Sequence, residues 1–135
     1  MITAVDTSVL VDIFGADPKF GERSAETIRR CLSEGALVAC ETVWAETATL
    51  FRQESAFLEA MRILEVDFSP MSRDAALRAA AAWRRYRAQG GKRDRIAADF
   101  LIGAHALAQC NRLLTRDRGF HRNYFHRLKI IDPTV

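Results

Sequence analysis

Met1-Ile2-Thr3-Ala4-Val5-Asp6-Thr7-Ser8-Val9-Leu10-Val11-Asp12-Ile13-Phe14 opens the chain, and the reading of this stretch decides the fold. Ile2, Ala4 and Val5 have the character of a short buried strand, and Ser8 is a candidate cap for a helix beginning near Val9. Asp6 therefore falls where a strand ends. In open α/β sheets the carboxyl ends of the strands form the edge at which ligands bind. An aspartate there is either a cap for the next turn or a functional carboxylate, and these residues alone leave both readings open.

Beyond Phe14, Asp17-Pro18 marks a turn, and the spacing of Ala25, Ile28, Cys31 and Leu32 predicts a helix over 21–33 that Gly35 ends. Ala36 to Cys40 is an apolar run of strand length. Glu41-Thr42 then begins a helical pattern through Val43, Trp44, Thr47, Leu50 and Phe51, with Glu46 in its first turns. A further helix is predicted from Ser55 to Leu64, and a short strand from Glu65 to Phe68, closed by Pro70. Ser72-Arg73-Asp74 reads as a helix start, and the alanine-rich segment to Gln89 has high helix propensity, with Gly90-Gly91 as its stop. After a charged loop from Lys92 to Arg95, apolar residues at helical spacing from Ile96 to Cys110 predict a helix that contains Asp99. Arg112 to Thr115 reads as a strand, 116–127 as a loop with one helical turn, and Leu128 to Ile131 as the last strand before Pro133. Strands alternating with helices predict right-handed βαβ crossovers, an α/β fold and a mostly parallel sheet of about five strands.

At 135 residues and 49% hydrophobic, the chain fits one domain over 1–135. No basic leader precedes an apolar stretch, and no run approaches the roughly 18 apolar residues of a membrane span, so a soluble cytoplasmic protein is expected. Cys31, Cys40 and Cys110 are odd in number, widely spaced and without a C-x-x-C pair, as expected of reduced core residues rather than disulfides or thiolate metal ligands. The net charge of +3 hides an asymmetry: with four of the 17 acids set aside for one site, 13 remain against 20 bases, a balance of +7. A basic surface around an acidic pocket suits an anionic polymer whose phosphate is held by metal ions.

Three carboxylates have comparable placements: Asp6 after the first strand, Glu46 just beyond the second, and Asp117 just after the strand ending at Thr115. Asp99 comes from a helix that can reach the same edge. Unaided, neighbouring carboxylates repel and raise one another's pKa, so such a cluster suits hard cations such as Mg²⁺ or Mn²⁺.

Asp6-Thr7-Ser8, Val43-Trp44-Ala45-Glu46, the segment from Asp99 to Ala106, and Leu113-Leu114-Thr115-Arg116-Asp117-Arg118-Gly119-Phe120 resemble the motifs of PIN-domain ribonucleases, in order and over essentially the whole chain. The likeness is to the toxin component of VapBC type II toxin-antitoxin systems. It implies a three-layer α/β/α fold, metal-dependent endoribonuclease activity, dimerisation, and inhibition by a small antitoxin protein. Asp6, Asp99 and Asp117 match the family's metal-binding aspartates, and Glu46 its acidic partner. Ser8 and Thr115 match small polar positions beside them; Ser8 has the alternative role of helix cap, and Thr115 that of a plain strand end. Asp94 either backs the site from behind its ligands or caps the following helix. Asp12 reads as structural, and Glu41 does not fall on a matching position.

The implied reaction is in-line attack on an RNA phosphodiester by water activated by one or two divalent ions, leaving 5′-phosphate and 3′-hydroxyl ends. Candidate RNA contacts are Arg84, Arg85, Arg87, Lys92, Arg93 and Arg95 around the double glycine, with Arg116, Arg118 and Arg122 beside Phe120, Tyr124 and Phe125. Solvated helix ends and aromatic packing are their plainer roles. Three other readings compete. His121 and His126 could form a metal-independent acid and base pair. Asp6 could be the phosphorylated nucleophile of a Mg²⁺-dependent phosphohydrolase or phosphotransferase of haloacid-dehalogenase type, although Ser8 stands where that family wants a second aspartate. Finally, the chain could be a binding module that grips RNA or protein without cutting.

Overall fold

Ile2–Val5 (β1) is the central strand of a five-stranded sheet, paired on one side with Ala36–Ala39 (β2) and on the other with Arg112–Leu114 (β4). Val66–Phe68 (β3) lies outside β2 and Ile130–Ile131 (β5) outside β4, so the order is β3-β2-β1-β4-β5 and every pairing is parallel. The computed structural model describes residues 1–92 and 97–135. Among the described residues, seven helices connect these strands: α1 (Thr7–Phe14), α2 (Gly21–Glu34), α3 (Glu41–Ala48), α4 (Glu54–Leu64), α5 (Arg73–Ala88), α6 (Ala97–Gln109) and α7 (Arg118–Tyr124). The architecture is the three-layer α/β/α arrangement that strand and helix alternation predicts. The sheet order reverses direction at β1, which opens a crevice at the carboxyl ends of β1 and β4, the place where such sheets bind ligands.

Local chemistry explains several boundaries. Ser72 caps α5, its Oγ accepting the Ala75 N–H at 3.1 Å, while Asp74 in the first turn and Arg85 and Arg87 in the last complement the helix dipole. At Gly35, between α2 and β2, a Cβ would stand 1.9 Å from the Met1 carbonyl oxygen, which is the acceptor for the Ala36 N–H at 2.9 Å. Only a residue without a side chain lets the two strands begin pairing there.

Two expectations are corrected. The segment after Thr115 contains α7 rather than a loop with a single turn, because Phe120, His121 and the following Phe125 are buried against α6. Ser8 does not cap α1, since the helix begins at Thr7 and Asp6 occupies the cap position with extended backbone and no side-chain cap bond. The Asp6 carboxylate is committed elsewhere.

Phe100, Leu10, Ile28, Leu37, Leu113 and Leu114 are among the fully buried side chains of one continuous core. Cys31 and Cys40 are buried within it and all three thiols are free. Trp83 stacks on Phe100 and Tyr124 meets it edge-on, which ties α5, α6 and α7 together. Among the described residues, no helix is long and apolar enough to cross a membrane.

Gly103 marks the tightest approach in this layer. A Cβ there would sit 2.4 Å from Phe125 Cε2 and 2.9 Å from His121 Nδ1, and Phe125 is only 3% exposed, so its ring has nowhere to go. Alanine would add about 1 kcal/mol of helix propensity, against an overpacking cost of roughly 1–3 kcal/mol. Gly103→Ala is therefore expected to lower the urea midpoint with an unchanged m-value; an unaltered or higher midpoint would show that α7 is loosely held.

Candidate active site

The register that aligns Val5 with Leu114 carries past the ends of both strands, where the Asp6 N–H donates to the Leu114 carbonyl at 2.9 Å. This places the Asp6 side chain beside Thr115. The Thr115 hydroxyl donates to Asp6 Oδ2 at 2.6 Å and accepts the Asp117 N–H at 2.9 Å. A single buried hydroxyl thus fixes one acid by its side chain and a second by its backbone. The structure gives Thr115 a positioning role between two candidate ligands, beyond that of a strand end.

Asp6 is 6% exposed. Burial pushes its carboxyl up to about 6 from an ordinary 3.8; the bonds from Thr115 and from the Thr7 backbone hold it down, and the charges of Asp99 and Asp117 push it further up. Those two repulsions place Asp99 and Asp117 within electrostatic reach of Asp6. Asp99 enters from the first turn of α6, and Asp117 occupies the cap position of α7. Glu46, on α3, accepts the Thr7 hydroxyl through Oε1 at 2.7 Å, so the residue next to Asp6 tethers the fourth acid. Thr7 was not singled out from the sequence, although the Asp6-Thr7-Ser8 triplet contained it.

All the donors in this set are carboxylate oxygens, the chemistry that hard divalent cations require. Burial and mutual repulsion at Asp6 are what such an ion would relieve. Among the described residues no group of three His, Cys, Asp or Glu side chains is placed to hold a metal ion as they stand. The acids are neighbours across the crevice, not a collapsed cluster.

The other candidates divide by position. Ser8 Oγ is buried and has no hydrogen-bond partner among the described residues. Arg93, Asp94 and Arg95 lie outside the described residues. The Arg116 guanidinium makes a two-pronged contact with Asp12, Nε to Oδ2 at 2.8 Å and Nη2 to Oδ1 at 3.0 Å, and lies 4.2 Å from the Phe20 ring centroid. Arg118 Nε is 3.5 Å from Asp132 Oδ2. Both arginines are thus paired within the protein. Asp12, read from the sequence as structural, is buried and also accepts from Ser24 Oγ at 2.9 Å. Glu41 accepts the Met71 N–H at 3.1 Å and so anchors the loop after β3. His121 is buried whereas His126 is exposed, so the two do not face a common substrate as an acid and base pair would. Phe120 and Phe125 are core residues.

A model of the PIN domain matches residues 3–126. The chain belongs to the PIN-domain family. Several solved structures share the fold of this PIN domain. A chain of the VapBC2 complex of Rickettsia felis, solved bound to a DNA fragment from its promoter, is 15% identical, with a TM-score of 0.76 over 98% of each chain. A chain of VapBC-1 from nontypeable Haemophilus influenzae is 20% identical, with a TM-score of 0.74 over 100% of both. VapC20 of Mycobacterium tuberculosis, described as a toxin that cleaves the sarcin-ricin loop, is 18% identical, with a TM-score of 0.60 over 94% of this chain and 98% of its own. At such identities the likeness concerns the fold. No curated protein matches the sequence.

Proposed function

We propose that this PIN domain is an Mg²⁺- or Mn²⁺-dependent endoribonuclease and the toxin of a type II toxin-antitoxin pair, acting in the cytoplasm as a homodimer restrained by a small antitoxin. The observation that carries the reading is the buried Asp6 carboxylate at the β1/β4 crevice, joined through the Thr115 hydroxyl to the Asp117 backbone, supported by PIN membership over most of the chain. A structural neighbour from Klebsiella pneumoniae, solved as a toxin-antitoxin complex, supports the antitoxin. PIN membership favours a ligand's role for Asp6 over that of the phosphorylated nucleophile of a haloacid-dehalogenase-type enzyme.

In this reading Asp6, Asp99, Asp117 and Glu46 hold the cation. A bound divalent ion acidifies water towards neutral pH and offsets charge on the leaving oxygen. The protein's own contribution is placement. Thr115 fixes which Asp6 oxygen faces inward, and its bond to the Asp117 backbone sets the turn that presents the third aspartate. Thr7 holds the Glu46 carboxylate at the rim. Exclusion of bulk water around the buried Asp6 strengthens every electrostatic contact made there.

The test incubates purified protein with total RNA in Mg²⁺, in Mn²⁺ and in chelator, and maps the ends produced. Cleavage that disappears in chelator and leaves 5′-phosphates is expected. Cyclic phosphates with full activity in chelator would overturn the proposal, and retention of RNA without cleavage in any metal would favour a binding module.

A further inference from the structure

A cavity of about 280 Å³ lies between α5, α6 and the far end of α7, with Ala81, Ala82, Leu107 and Phe125 contributing its apolar lining. Arg78, Arg85, Tyr124, His126 and Arg127 complete it. Arg78 pairs with Asp74 at 2.9 Å, but among the described residues neither Arg85 nor Arg127 has a carboxylate partner. Arg85 is pre-positioned, its Nη2 donating to the Tyr124 carbonyl at 2.5 Å. Three other surface cavities each carry carboxylates, from Glu65 and Asp67, from Asp17 and Glu22, or from Glu26. None lines this one.

Its place matters as much as its charge. Asp117 caps α7 at the acidic crevice, and Tyr124 ends the same helix at the cavity. Seven helical residues span about 10 Å, so a strand lying with one phosphate at the crevice reaches the cavity with a nearby nucleotide. A single turn of α-helix, a cylinder about 10 Å across and 5.4 Å tall, occupies about 400 Å³. The cavity holds less than one such turn and has room for one flat ring with an attached anion.

We infer that this cavity is a nucleotide subsite for the single-stranded RNA substrate, taking one unpaired base against Tyr124 and the apolar lining while Arg85 and Arg127 hold its phosphate. The inference rests on the ribonuclease reading but is tested apart from it. Aromatic platforms and guanidinium groups bind single strands in this manner without demanding a particular sequence.

Ala81, half-buried on the exposed side of α5, allows the cavity to be filled from its rim. The experiment measures fluorescence anisotropy of a labelled single-stranded RNA oligonucleotide with the full chain in chelator, and cleavage of the same oligonucleotide in Mg²⁺. Ala81→Phe is expected to weaken binding about tenfold and to raise KM while leaving kcat in place. Arg127→Gln, at an exposed position, is expected to reduce the slope of log K against log salt by about 0.7, the value of one phosphate contact; it serves equally well if the phenylalanine variant melts early. Wild-type binding and an unchanged salt slope in both variants, with cleavage intact, would overturn the subsite and spare the nuclease. Ala81-sensitive binding without cleavage in any metal would support the subsite and sink the nuclease. Ala81-sensitive capture of a glutamate-rich peptide with no affinity for the oligonucleotide would overturn the subsite in favour of a protein partner.

Discussion

Asp6→Asn is expected to remove metal-dependent cleavage and, in the metal-free protein at pH 7, to raise stability. The two effects share one cause. Asp6 is nearly out of solvent and faces the charges of Asp99 and Asp117, which together with burial bring its carboxyl up to about 6 from 3.8. Below pH ~4 the group is protonated in both folded and unfolded chains and contributes nothing. As pH rises from about 4 to about 6 the unfolded chain releases the proton first, so stability falls across that window and stays lower above it. The lost stability is on the order of 3 kcal/mol. Asparagine keeps an oxygen that can accept from Thr115 and carries no charge, so the variant should show a flat profile across the same window. Added Mg²⁺ or Mn²⁺ should raise the melting temperature of the wild type and leave the variant unmoved, because an ion that binds only the folded state stabilises it by mass action. Loss of one carboxylate ligand should slow cleavage about 10³-fold, equivalent to roughly 4 kcal/mol of transition-state stabilisation. Thermal melts from pH 4 to 8 and initial rates on RNA check both halves. An asparagine variant that is less stable than wild type at pH 7, or that cuts at the wild-type rate, would contradict the account.

Arg116→Met should be the most destabilising change near the site. Asp12 is 2% exposed, and its carboxylate is held by the two-pronged guanidinium contact and the Ser24 hydroxyl. Removal of the arginine strands a buried negative charge, at a cost of about 3 kcal/mol. In a chain of this length that corresponds to a fall in melting temperature on the order of 10 °C. Removing the charge as well, in Asp12→Asn with Arg116→Met, should recover much of the loss, because a buried pair replaced on both sides costs far less than one broken on one side. Melting curves for the two single variants and the double variant give the coupling directly. The result also bears on RNA binding. An arginine whose main task is to grip phosphate would change the salt slope of binding and leave the melting temperature alone; the structure instead ties Arg116 to α1 through Asp12, between Thr115 and Asp117, where its loss should also misplace the site.

The alternation of strands with helices was legible because the inner strands β1, β2 and β4 are short, largely buried apolar runs and helices such as α2 and α4 carry a distinct apolar stripe. Asp6 stood out because strand ends in such sheets are predictable positions. What could not be read was whatever depends on contacts distant in sequence. α7 contains Gly119 and Asn123 and is too short to hold itself, so its helical form comes from Phe120 and His121 packing on α6. The pairing of Arg116 with Asp12 joins residues 104 positions apart, and nothing in either neighbourhood announces it. The Thr7 bond to Glu46 spans 39 positions in the same way. Ser8 is a candidate cap in the sequence because serine is a strong cap former, but the helix starts at Thr7 and the sequence has no means of fixing such a boundary.

The central strand β1 is synthesised well before β4, its partner on the crevice side. Asp6 and Thr115 are separated by 109 positions. During translation, at about 5–20 residues per second, the emerging chain carries Asp6 for several seconds before the strand that orients it exists. Truncated products that stop short of Leu114 therefore lack both the strand that pairs beside β1 and the hydroxyl that orients Asp6.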